Sequence, residues 1–218
     1  MESYLFMIGI LIKVVNLMEL LITGGAGYIG SHVVSSALDK GYKVTVFDDL
    51  SSGVEENINN DTRFVLGSVC SKSGLANLFK KNKFDAVIHL AAFKAAGESM
   101  SKPMHYAENN IIGGINIINS CQEHDVKAFV FSSSAAVYGK PKYIPIDENH
   151  SLFPSNYYGF TKLTIERHLK WISRITGIRY AALRYFNAAG YDCNRREFGL
   201  ENEPQNLIPI IMEVAICN

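Results

Sequence analysis

The chain has no surplus of charge. Its 218 residues carry 21 Lys and Arg against 21 Asp and Glu, so no basic face is left over to attract nucleic acid or an anionic membrane. Cysteine is scarce and scattered: Cys70, Cys121, Cys193 and Cys217 form no C-x-x-C pair, and none of the six histidines stands at a zinc-ligand spacing. Reduced thiols in a cytoplasmic protein without a metal are therefore expected. Long apolar runs are missing too. The stretch Tyr4 to Ile12 is too short to span a bilayer; Glu2 rather than basic residues precedes it, and no small-residue cleavage site follows. No internal repeat, low-complexity tract or Pro-rich linker divides the chain. At 48% apolar and 19% charged residues, it reads as an ordinary globular protein able to bury a large core.

The fold is expected to begin at Met18, because MELLITGGAGYIG opens directly on a strand. Residues 1–17 read as an extension outside the fold. Leu20 to Thr23 form an apolar strand that runs into Gly24, Gly27 and Gly30, and an apolar helix pattern follows. Glycines spaced three apart at a strand-to-helix junction let a pyrophosphate sit against the helix N-terminus, where unpaired N–H groups and the helix dipole favour negative charge. A plain tight turn would use the same residues. What favours the dinucleotide is the context, with an acidic residue about 20 positions on. VTVFDDL supplies Asp48 at the end of a second buried strand, Val44 to Phe47. Its carboxylate can take both ribose hydroxyls and would repel a 2′-phosphate, so NAD is expected rather than NADP.

Strands and helical patterns then alternate to the end of the readable sequence. Arg63 to Gly67, Ala86 to Leu90, KAFVFSSS and IRYAALRYF read as further strands, with helical stretches from Ser71, from about Pro103 to His124 and from about Ser155 to Thr176. This predicts an α/β fold, a doubly wound parallel sheet of the Rossmann type, with its ligand at the carboxyl ends of the strands.

A second constellation lies in PSNYYGFTKLTIERHLK. Tyr158 and Lys162, four apart on a helix, share one face. An ammonium beside a phenol favours the phenolate, so a general base with a lowered pKa is expected. The same spacing at Tyr138 and Lys142 contains Gly139 and Pro141, which break a helix, and is set aside. Ser132, Ser133 and Ser134 leave the fifth strand at the edge that carries the glycine loop. Ser134 there can hydrogen-bond a substrate hydroxyl and the phenol oxygen together.

Taken together, TGGAGYIGSH, HLAAFKAAGES, ENN, SSSAAVYG, YYGFTK and RYFNAAG resemble the extended short-chain dehydrogenase/reductases, the NAD-dependent epimerase/dehydratase family, and within it the UDP-sugar 4-epimerases. The resemblance runs from Met18 to the C-terminus. It implies Tyr158 as catalytic base, Lys162 as its activator and a ligand of the nicotinamide ribose, and Ser134 as their hydrogen-bonding partner. It implies cofactor contacts from Gly24, Gly27, Tyr28, Ile29 and Gly30, from Asp48, Asp49, Ser68 and Val69, and from Leu90, Ala91, Ala92, Lys94, Asn109, Ser132 and Tyr185. Lys94, Ser134, Ala136, Tyr158, Asn187, Asn206 and Leu207 would meet a UDP-sugar. The implied reaction interconverts UDP-galactose and UDP-glucose through a 4-keto sugar, with bound NAD as a transient hydride store and no net oxidation. A homodimer is implied as well, with helices from about Met104 to Cys121 and from Tyr158 to Ser173 paired across a two-fold axis.

Three positions depart from the family pattern. Ser68 stands where an Asp usually holds the adenine amino group, Ala136 where Thr is common, and Tyr157 where Pro is usual. Family members are also longer. Residues 18–186 are thus expected to form the NAD-binding domain with the Ser/Tyr/Lys set, and residues 187–218 the start of a truncated substrate-binding domain. The alternatives are a noncatalytic NAD-binding fragment and another NAD-dependent nucleotide-sugar epimerase or dehydratase. A 4,6-dehydratase needs an acid/base pair where this chain has Ala135 and Ala136.

Overall fold

The computed structural model describes residues 18–190 together with Asp192, Gly199 and Ile211. Six parallel strands, β1 (Glu19–Thr23), β2 (Lys43–Asp48), β3 (Arg63–Leu66), β4 (Ala86–His89), β5 (Ala128–Ser134) and β6 (Arg179–Tyr185), pair in the order β3-β2-β1-β4-β5-β6. Chain order reverses between β1 and β4, the crevice where an open α/β sheet places its ligand. The loops after β1 and β4 flank that crevice. The central strands are apolar along their whole length because both faces are covered. Leu21, Ile22 and Val87 are fully buried. One core joins Leu21 and Phe129 to helix residues such as Ile117, Ile165 and Leu169. The other packs Ile22 and Val46 against Val34 and Ala37.

Helix α1 (Tyr28–Asp39) follows the glycine loop. Gly27 stands at its N-cap, so no side chain caps its first amides, and no acidic residue lies in its first turn. Helix α2 (Lys72–Lys81) starts under a cap in which Ser71 Oγ accepts from Gly74 N at 3.1 Å. The sixth-strand helix partner, here α6 (Tyr157–Thr176), is capped by Asn156 Oδ1, which accepts from Gly159 N at 2.8 Å, and stops at Gly177 in the left-handed region.

The expected helix from Pro103 to His124 is present but not uniform. It comprises α4 (Pro103–Tyr106), a π-helical stretch (Ala107–Ile112) and α5 (Gly113–Glu123). A short helix that the periodicity did not indicate, α3 (Ala96–Ser101), precedes it. Its Ser99 Oγ accepts from Tyr158 N at 3.0 Å, satisfying an amide that the start of α6 leaves without an intrahelical partner. Among the described residues no helix is long and apolar enough to cross a membrane.

Candidate active site

The carboxyl ends of the strands surround a cavity of about 960 Å³, at the upper end of the range for small-molecule and cofactor sites. Gly24, Gly27, Tyr28, Ile29 and Gly30 line one side of it. Gly24 has φ +75°, and a Cβ there would lie 2.5 Å from Ala91 N; a Cβ on Gly30 would lie 2.0 Å from Gly24 O. Only glycine lets this loop lie flat on the loop after β4. The uncapped amides of α1 open at the same place, forming a cradle for an anionic group.

Asp48, at the end of β2, is nearly buried. Its carboxylate accepts from Ala26 N at 3.0 Å and from Leu50 N at 2.9 Å, so it staples the glycine loop to the loop after β2 while lining the cavity. Burial pulls its pKa up against these two amides. Each carboxylate oxygen retains a lone pair for a ribose hydroxyl. Burial also raises the neighbouring Asp49, but hydrogen bonds from Ser51 and Ser68 outweigh it and hold that carboxyl below its ordinary value.

On the opposite wall stand Ser132, Ser134, Tyr158 and Lys162. The Ser134 hydroxyl hydrogen-bonds the Tyr158 phenol and accepts from Ala136 N at 3.1 Å. Lys162 Nζ donates to the Ser132 carbonyl at 2.8 Å and lies 5.0 Å from the centre of the Phe131 ring and 5.7 Å from that of Tyr158. The expected lowering of the phenol pKa does not hold. Burial pushes Tyr158 up, only partly offset by Ser134, and burial alone brings Lys162 down to about 7. Both groups lose more from leaving water than they gain from each other, because the ammonium faces the ring rather than the phenol oxygen. Behind them His89 is fully enclosed. Thr23 Oγ1 bonds its Nδ1 at 2.7 Å, and burial, with the Lys162 charge second, lowers its pKa to about 3.

The π-helical stretch contributes Asn109 to the wall and, beside it in sequence, the buried Asn110. Asn110 Oδ1 accepts from Phe93 N at 2.9 Å, and its Nδ2 donates to Phe93 O at 3.0 Å and to Thr161 Oγ1 at 3.2 Å. Asn109 lines the cavity and donates to Asn110 Oδ1 at 3.1 Å. One side chain therefore ties together the segment bearing Lys94, the turn bearing Asn109 and the helix bearing Tyr158 and Lys162. An irregular helical turn is a common device at such places.

Of the residues selected from sequence, Val69, Leu90, Ala91, Ala92, Lys94, Tyr185 and Asn187 also line the cavity. Two do not. Ser68, in the loop after β3, accepts from Cys70 N and bonds Asp49, and Ala136 packs in a 3₁₀ turn against Gly159. Asn206 and Leu207 lie outside the described residues. Sequence reasoning missed Phe93, Glu98, His105, Tyr106 and Phe186, all of which line the cavity. Tyr106 OH reaches Ala95 O and Glu98 Oε2, each at 2.9 Å. The segment HLAAFKAAGES contained Phe93 and Glu98, but no spacing linked either to Tyr106.

The NAD dependent epimerase/dehydratase family matches residues 20–213. A UDP-glucose 4-epimerase of Halalkalibacterium halodurans is 45% identical over 200 residues, which are 91% of this chain and 59% of that one. Among solved structures, the UDP-glucose 4-epimerase of Brucella ovis in complex with NAD superposes with a TM-score of 0.87 at 37% identity, covering 91% of this chain and 61% of its own. That of Bifidobacterium longum in complex with NAD+ and UDP gives 0.85 at 33% identity, covering 91% and 62%. The chain spans about 60% of the length of the curated relatives it matches.

Proposed function

The chain belongs to the NAD dependent epimerase/dehydratase family, and from that premise we propose that it binds NAD and inverts the C4 centre of a UDP-hexose, interconverting UDP-galactose and UDP-glucose. The observation that carries this reading is the convergence of Ser134, Tyr158 and Lys162 on the cavity edge facing the glycine cradle. Relatives named UDP-glucose 4-epimerase support it.

The residues present fit a dinucleotide. The cradle of Gly24, Gly27 and Gly30 with the open amides of α1 would take the pyrophosphate, Asp48 the adenosine ribose, and Lys162 the nicotinamide ribose. NAD supplies a reversible hydride acceptor when bound. The chain's own contribution is proton transfer and positioning. Tyr158 Oη holds the proton taken from the sugar 4-hydroxyl and returns it after the sugar has presented its other face. Ser134 Oγ bridges phenol and substrate hydroxyl, and Lys162 steadies the phenolate. Tyr185 and Asn187 stand at the end of β6, where the sugar nucleotide would enter. On this reading residues 18–186 carry the cofactor and the Ser/Tyr/Lys set, and residues from 187 onward contribute to the sugar-nucleotide side.

We assign a homodimer to the same reading. Met104, Phe160, Trp171 and Ile175 are 76%, 46%, 63% and 72% exposed on α4 and α6, an apolar face suited to pairing with a second copy.

The deciding experiment is conversion of UDP-galactose to UDP-glucose by the purified chain with NAD supplied, with Tyr158→Phe as control. Conversion that disappears in the control establishes the reaction and the base. Folded protein that binds NAD and converts nothing restricts the chain to cofactor binding.

A further inference from the structure

Lys162 and Glu166 lie four apart on α6 and share a face, the arrangement in which lysine and glutamate ordinarily pair. Here they are otherwise engaged. The Glu166 carboxylate is nearly buried. Arg184 grips it with both prongs, Nε to Oε1 at 3.0 Å and Nη2 to Oε2 at 2.7 Å, and Ser133 Oγ donates to Oε1 as well. Arg184 reaches it from β6, where it stands directly opposite Ser133 in the sheet register. Its third nitrogen donates to Tyr138 OH at 3.1 Å, and its guanidinium lies 5.0 Å from that ring's centre.

Ser133 sits between Ser132, whose carbonyl receives Lys162, and Ser134, whose hydroxyl bonds the Tyr158 phenol. The ion pair is therefore built into the strand end that organises the site. Charge attraction in a poorly solvated interior is stronger than in water. A buried carboxylate one turn from Lys162, left without a counter-charge, would draw the ammonium away from the Ser132 carbonyl and the Tyr158 ring. A bidentate, always-charged guanidinium is the side chain suited to prevent this.

We infer that Arg184 is a positioning residue: by occupying the Glu166 carboxylate from the edge strand, it keeps Lys162 on the Ser132 carbonyl and beside Tyr158. The inference rests on the proposed site in one respect only, that Lys162 serves cofactor binding. Arg184 touches neither the reacting atoms nor the cradle. Its effect passes through Glu166 to Lys162, and removing the Glu166 charge should cancel the need for it.

The test compares R184M and the double variant E166Q/R184M with the unaltered protein, reading the Lys162 side chain in crystal structures and NAD affinity by calorimetry. In R184M, Lys162 Nζ is expected to leave Ser132 O for the Glu166 carboxylate, within about 4 Å. NAD binding should weaken roughly tenfold there and return to within about threefold of the unaltered protein in the double variant. Lys162 remaining on Ser132 O in R184M, or a double variant that binds NAD no better than R184M, overturns the inference. Should R184M not fold, the double variant decides, because it removes the Glu166 and Arg184 charges together and leaves neither unpaired beside Lys162. The titration of its Lys162 ammonium, followed by carbon NMR at Cε, should move by less than about half a pH unit. A fall of about one unit or more would mean that Glu166 acts on Lys162 directly despite Arg184, and would overturn the inference. If the unaltered chain binds no NAD, the dinucleotide reading fails, while the position of Lys162 in R184M still decides this one.

Discussion

The Lys162 ammonium hydrogen-bonds the Ser132 carbonyl and faces the Tyr158 ring at 5.7 Å from its centre. The two residues proposed as base and activator thus share a helix turn, with the ammonium held by a backbone carbonyl. Burial dominates both groups, raising Tyr158 and lowering Lys162 to about 7. A further positive charge near the phenol would favour the phenolate, and the nicotinamide ring of oxidised NAD carries one while that of reduced NAD does not. Titrated by its ultraviolet difference spectrum against Y158F, Tyr158 should ionise above pH 10 in the free protein. It should ionise at lower pH with NAD+ and show no such fall with NADH. An equal effect of both forms would remove the electrostatic explanation.

The same burial predicts how stability depends on pH. Lys162 has a folded pKa of about 7 against 10.5 unfolded, so between those values the unfolded chain holds more protons and stability rises with pH. The gain is at most about 1.4 kcal/mol per pH unit and vanishes below pH 7, where both states are charged. Urea midpoints between pH 7 and about 9.5, below the ordinary range of tyrosine, should climb more steeply for the unaltered chain than for Lys162→Met. His89, lowered to about 3, acts in the same direction on the acid side. Stability should fall as pH drops from about 6.5 towards 3, because the enclosed imidazole cannot take up the proton that the unfolded chain accepts.

The glycine loop separates two effects that are usually confounded. A Cβ at Gly27 would meet only Gly24 O, at 3.5 Å, whereas one at Gly30 would overlap that oxygen at 2.0 Å. Gly27→Ala should therefore fold with an unchanged melting temperature and lose NAD affinity, since its methyl group occupies the space of the anion. Gly30→Ala should lose affinity and stability together, by about 1–3 kcal/mol or more for a contact that the backbone must relieve. Calorimetric titration beside a melting curve distinguishes them, and a destabilised Gly27→Ala would contradict the geometry.

What could be read from sequence follows from what is local. The strands show as short apolar runs, α6 as an amphipathic stretch with Asn156 before it and Gly177 after it, and the glycine cradle by its place between a strand and a helix. Spacing put Tyr158 and Lys162 on one face but could not show how deeply each is buried, so the direction of the phenol shift was not legible. Arg184 and Glu166 meet only because β6 lies beside β5 in one register and α6 packs over both. The π-helical stretch leaves no periodic trace, because it accompanies a side chain's attachment to a distant backbone segment. Ser68 and Ala136, selected by resemblance alone, lie off the cavity wall.

That attachment yields a last prediction. Asn110 presents an acceptor to Phe93 N and a donor to Phe93 O, so its amide substitutes for a strand partner along a loop that has none. Replacing it with Leu leaves two partly buried backbone groups without this partner, at up to about 1–3 kcal/mol each. Asp also fails, because its second oxygen would face the Phe93 carbonyl. If Asn110 only stabilised the fold, both variants would lose stability and bind NAD normally once folded. Since it also fixes the segments bearing Lys94 and Asn109 against Thr161, both should show weaker NAD binding at temperatures well below their melting points. Denaturation in urea measures the first loss and titration with NAD at low temperature the second. A stability loss without an affinity loss would reduce Asn110 to a structural pin.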